Sequence, residues 1–177
     1  MKNTLLLIMT LITLTSCKTE KGMNKTVPYD ESVILLGPVN EEGFAQEPFN
    51  EWFQPNYQDY KLDATAIEEL KKLSKDIHIV TFMGTWCGDS KRETPAFLKI
   101  LDSIGFKNKK HKIYAVSREK TTPEQSEQGL NITNVPTFIF YRDGQEINRI
   151  VEYPIETLEK DMLDILQGNA YQHAYFE

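Results

Sequence analysis

The chain has 177 residues, enough for one domain with a core of its own and no need of disulfide staples. Twenty basic against twenty-six acidic side chains give a formal charge of -6, and no block of Lys or Arg is long enough to neutralise a track of phosphates, so nucleic acid is not an expected partner. Hydrophobic residues at 40% and charged residues at 26% are ordinary for a globular domain, which excludes a fibrous or wholly disordered chain.

Residues 1–16 differ in kind from the rest. Lys2 precedes the apolar stretch Leu5-Leu6-Leu7-Ile8-Met9 and Leu11-Ile12, a signal peptide too short to span a bilayer and stay there. Leu14-Thr15-Ser16-Cys17 resembles the bacterial lipobox, and the resemblance implies that Cys17 is lipidated and becomes the first residue of an exported protein anchored to the cell envelope. Lys18 after it, in place of Asp, implies sorting to the outer membrane of a Gram-negative cell. An ordinary secretory signal with an incidental cysteine is the competing reading. With Cys17 carrying lipid, Cys87 is the one remaining thiol, so an internal disulfide is excluded. The cysteine and histidine spacings also fit no structural zinc site, and neither a metal nor a cofactor is expected.

Residues 17–30 are polar, lack an apolar period and read as a flexible, lipid-anchored tether. Residues 31–57 read as an N-terminal extension. There Val33-Ile34-Leu35-Leu36 has the length of a strand and is closed by Gly37-Pro38; Phe44, Phe49, Trp52, Phe53, Tyr57 and Tyr60 follow, with Pro48 able to open a helical turn and Pro55 to end or bend it. These rings either line a ligand groove or, as large rings more often do, pack a core.

From Asp63 the periods are clear. Ala66, Ile67, Leu70 and Leu73 recur at helical spacing behind an Asp or Thr cap. Ile77 to Met83 is an apolar, β-branched run typical of a strand buried on both faces, ending at Gly84-Thr85. A helix is expected from Gly88 to Ile104, kinked by Pro95 and stopped by Gly105. Lys112 to Val116 is the next strand, followed by a polar segment, Ser117 to Gly129, in which Pro123 can open a helix. Thr137 to Tyr141, the turn Arg142-Asp143-Gly144-Gln145, and Glu146 to Val151 form the strongest hairpin signal. A last helix runs from Ile155 to Leu166, and 168–177 is a tail. This order calls for an α/β domain over 58–167, with a mixed central sheet flanked by helices on both faces.

Cys87 stands where a buried strand ends and a helix begins. Its sulfur therefore lies near unpaired N–H groups and the positive end of the helix dipole, which favour the reactive thiolate. Asp89 opposes this by like charge, whereas Lys91, Arg92 and the Ser90 hydroxyl can assist it. His78, His111 and His173 lie at no spacing that places a base beside Cys87.

The strand, Trp86-Cys87-Gly88, Lys91, Pro95 eight residues after the cysteine, and Val135-Pro136-Thr137 before a hairpin together resemble thioredoxin over residues 58–167. The resemblance implies a thioredoxin-like fold, a cis Val135–Pro136 bond facing Cys87, and a substrate groove formed by Trp86, Gly88, Asp89, Val135, Pro136 and Thr137. It also exposes two departures. Ser90 stands where the resolving cysteine should be, and Thr81 replaces the buried acid six residues before the nucleophile. A mixed disulfide at Cys87 cannot then be released from within the site. The expected activity is a monothiol oxidoreductase or isomerase acting on protein or small-molecule disulfides, with Ser90 donating a hydrogen bond to the Cys87 thiolate. A binding module that keeps the groove without turnover, or a redox sensor, are the alternatives.

Overall fold

The computed structural model describes residues 22–176; the signal peptide over 1–16 and the lipid site at Cys17 lie outside them. Order begins earlier than composition suggests. Thr26–Tyr29 (β1) and Ser32–Leu35 (β2) form an antiparallel hairpin, so a tether running to residue 30 is corrected: its last residues are a strand. The hairpin is held to the domain by backbone bonds from Leu36 N–H to Lys25 O (2.9 Å) and from Asn24 N–H to Pro38 O (2.9 Å). Asn24 Oδ1 also accepts from Asn40 N–H at 2.9 Å. Gly43 makes that approach feasible, because a Cβ there would sit 2.4 Å from Asn24 Oδ1.

Gly37-Pro38 does not merely close β2. Gly37–Val39 (β3) is the edge strand of the central sheet, antiparallel to β5 (His111–Ala115). Only an edge tolerates a proline that cannot donate to the ladder. A short helix, Glu41–Phe44 (α1), leads to Asn50–Asp59 (α2), and the aromatic stretch packs as core: Phe44, Phe49 and Phe53 are buried beside Leu35, Val39 and Met83. Ala64–Leu73 (α3) starts as the sequence predicts, with Asp63 accepting from the N–H groups of Thr65 and Ala66.

Ile77–Met83 (β4) is the central strand, followed by Gly88–Ser103 (α4), then Thr137–Arg142 (β6), Gln145–Val151 (β7) and Leu158–Gln167 (α5). The five strands are ordered β3-β5-β4-β6-β7; only β4 and β5 run parallel, so the sheet is mixed as expected. One face, with Ile77, Ile79, Phe138 and Phe140, packs against α3, α4 and α5. The other, with Phe82, Val116, Val135 and Ile139, meets Trp86, Leu130 and Ile132.

The helix that Pro123 could open is not formed. Lys120, Gln125 and Asn131 have positive φ, and the Glu127 carboxylate accepts from both the N–H and the hydroxyl of Thr122, which folds the segment into turns. The last helix starts later than the sequence suggests. Thr157 caps it, and the Asp161 carboxylate takes the N–H groups of Ile155 and Glu156 in the preceding turn.

The proline inside α4 is accommodated by a side chain of α2. Pro95 lacks the N–H that would bond Lys91 O, and Asn56 Nδ2 donates to that carbonyl at 3.1 Å while also bonding Trp52 O, one turn back on α2, at 2.9 Å. Asn56→Leu should therefore cost about 1–3 kcal/mol, the penalty of a carbonyl left unpaired, read as a lowered urea midpoint at unchanged m-value.

Candidate active site

Cys87 is the N-cap of α4, in extended geometry (φ -93, ψ 129), with its N–H bonded to Gly84 O at 2.9 Å and its C=O accepting the first helical bond from Lys91. The residue is half-buried, and its thiol donates to Val135 O at 3.2 Å. The Val135–Pro136 bond is cis, as the resemblance implies, and it faces the sulfur. Pro136 O accepts from Glu152 N–H (2.7 Å) and the Thr137 hydroxyl donates to Asn134 O (2.7 Å), so the turn is fixed from behind. Thr137 is buried, its side chain serving the turn.

Trp86 lies half-buried at the rim, its indole N–H donating to Val116 O at 2.8 Å. Its ring passes so close to Gly84 that a Cβ there would meet it at 2.6 Å. Gly88 is exposed, with open space where a side chain would stand. Asp89 is paired with Arg92 at 2.7 Å, and Arg92 Nε also bonds Glu93 at 2.6 Å. Lys91 sits over the Trp52 ring, 5.9 Å from its centroid. The cations expected to serve the sulfur are therefore engaged elsewhere.

Ser90 occupies the resolving position and is fully buried, but the bond expected from it to the sulfur is replaced by another: its Oγ accepts from Gly84 N–H at 3.0 Å. Thr81 Oγ1, on β4, lies 2.8 Å from His111 Nε2. Desolvation pushes the His111 imidazole down to about 3, so it is neutral at neutral pH. The buried ionisable acid is thus exchanged for an uncharged Thr–His pair. Among the described residues, no group of three or more His, Cys, Asp or Glu side chains is placed to hold a metal ion.

One residue at the site carries no signal in the linear sequence. Arg118 lies over the Trp86 ring, 4.8 Å from its centroid, and its Nε donates to the Tyr29 hydroxyl of β1. The parallel register of β4 and β5, Met83 opposite Ala115, brings the two strand ends to one edge of the sheet, so Arg118, three residues past β5, meets Trp86, three past β4 and next to Cys87. The N-terminal hairpin closes the same rim, with Leu35 N–H bonding Thr85 Oγ1 at 3.2 Å. A cleft of about 630 Å³ opens between β1–β2 and α2, lined by Tyr29, Ile34, Trp52, Trp86 and Lys91 among others.

A family model described as Thioredoxin matches residues 60–164. A thioredoxin of Aspergillus fumigatus is 33% identical over 89 residues, covering 50% of this chain and 77% of that protein. A thioredoxin of Mycobacterium bovis is 29% identical over 89 residues, covering 50% of this chain and 72% of its own length. Among solved structures, a Pseudomonas aeruginosa protein of unknown function superposes with a TM-score of 0.53 at 14% identity, over 71% of this chain and 86% of that one; this likeness concerns the fold alone.

Proposed function

The chain belongs to the thioredoxin family, whose members carry out thiol–disulfide redox chemistry, and from that premise we propose that it is a monothiol oxidoreductase or isomerase of the bacterial cell envelope with Cys87 as its nucleophile. The observation that carries this reading is the half-buried sulfur at the N-terminus of α4, 3.2 Å from the carbonyl of a cis X-Pro turn. The thiolate attacks one sulfur of a protein or small-molecule disulfide, the other sulfur leaves as a thiolate, and a mixed disulfide remains on Cys87. Ser90 cannot resolve it, so a second thiol does. If that thiol belongs to the same substrate the net reaction is isomerisation; if it comes from a small thiol or a reductase the net reaction is reduction. Trp86, Gly88, Val135 and Pro136 border the groove, and the lipobox resemblance at Cys17 supports the placement at the membrane.

Mature chain trapped from cells with a thiol-blocking reagent should show disulfide-linked adducts on a non-reducing gel. The Cys87→Ser variant should lose all of them together with any disulfide-exchange activity. Absence of adducts from the wild-type chain would support an adaptor that keeps the groove without turnover, and adducts that persist in Cys87→Ser would mean that Cys17 carries a free thiol and that the reactive sulfur is not Cys87.

A further inference from the structure

The exposed guanidinium beside the nucleophile has a job left to do. Arg118 uses one donor, Nε, on Tyr29, and the planar group rests on Trp86; among the described residues neither terminal nitrogen is hydrogen-bonded. Asp30 and Glu119 are within electrostatic range, but among the described residues no carboxylate bonds the guanidinium. An arginine held on two sides with its outer fork open is pre-organised to take a carboxylate through two parallel bonds, and little side-chain freedom is lost when it does. The holding comes from two separate parts of the chain, β1 and the active-site loop, which is more than an incidental surface contact.

We infer that Arg118 is a specificity-determining residue: it binds a carboxylate carried close to the disulfide of the substrate, so that the preferred partners of Cys87 are anionic, acid-bearing small thiols and their disulfides. This rests on the monothiol reading above and adds the substrate class. In the exchange, the Cys87 thiolate bonds one sulfur of the acidic disulfide and the other departs as an acidic thiolate. A second small thiolate then attacks the substrate sulfur of the mixed disulfide, re-forms a disulfide of two small thiols and returns Cys87 as thiolate. Each step exchanges one S–S bond for another, and no further oxidant is required.

The test uses the mature chain with Cys87→Ser as blank, and compares the single-turnover rate with an anionic aromatic disulfide, dithiobis(nitrobenzoate), and with neutral dithiodipyridine. Arg118→Gln should slow the anionic probe about tenfold and leave the neutral one within twofold, with Arg118→Lys recovering part of the loss. Added salt should slow the anionic probe alone in the wild type. Equal slowing of both probes would mean that Arg118 acts on the sulfur and not on the substrate, and no slowing of either would mean that it does neither; both results overturn the inference while leaving the Cys87 chemistry intact. A wild-type chain that reacts with neither probe would overturn the monothiol reading itself.

Discussion

Ser90→Cys is expected to speed turnover by letting the mixed disulfide be resolved from within the site. The side chain sits on the first turn of α4, three residues after Cys87, and a helix cap and a residue three positions on have Cα atoms about 5–6 Å apart, inside the range a disulfide spans. Ser90 is fully buried against Gly84, whose N–H it accepts at 3.0 Å. A thiol of nearly the same shape keeps the packing and weakens that one bond, a loss of about 1 kcal/mol. What it adds is an intramolecular attacker. A tethered thiol acts at an effective concentration in the mM range or above, so against about 0.1 mM of external thiol the mixed disulfide should clear at least about tenfold faster. The adducts trapped on the wild-type chain should fade, and insulin reduction driven by a small dithiol should rise in proportion. A variant whose adducts persist, with both thiols still titratable, would mean that the buried position cannot reach the sulfur, and the monothiol character would not then follow from Ser90.

The divide between what the residues announce and what they conceal falls along sequence distance. The β4–Cys87–α4 unit, the Asp63 cap and the 137–151 hairpin are each legible because their signals lie within a few residues of the structure they specify. The N-terminal hairpin is not legible, because Thr26–Tyr29 is only four residues long, holds a proline, and owes its order to pairing with β2 and to Asn24 reaching Asn40. Pro38 disguises an edge strand as a terminator. In the site, Cys87 and Pro136 are found by motif, while Arg118 depends on strand register and no local pattern marks it. Residues 168–177 read as a tail, yet Tyr171 is buried, its hydroxyl donating to Asp161 at 2.7 Å and its carbonyl accepting from Asn148 at 3.0 Å. Tyr171, Tyr175 and Phe176 stand in a stretch too short to give a period from which such docking could be inferred.

The exchange of a buried acid for Thr81 and His111 should be visible in stability. An imidazole whose folded value is about 3 against an ordinary 6.5 stays neutral in the native state, while the unfolded chain takes up a proton as the pH falls below 6.5. The unfolded state therefore binds more protons between these values. The contribution is complete above pH 6.5 and is lost as the pH falls toward 3, at up to about 1.4 kcal/mol per pH unit. Between pH 7 and 4.5 the loss should approach about 2–3 kcal/mol, a large share of the roughly 5–15 kcal/mol that holds a domain of this kind together. Carboxylates titrate in the same window, so the informative quantity is a difference. His111→Gln keeps an amide able to meet Thr81 Oγ1 and removes the proton site. The gap between wild-type and variant unfolding free energies from urea melts should then shift by those 2–3 kcal/mol, in favour of the variant, as the pH drops. A gap that stays constant would mean that water reaches the ring despite its Phe97 and Thr81 neighbours.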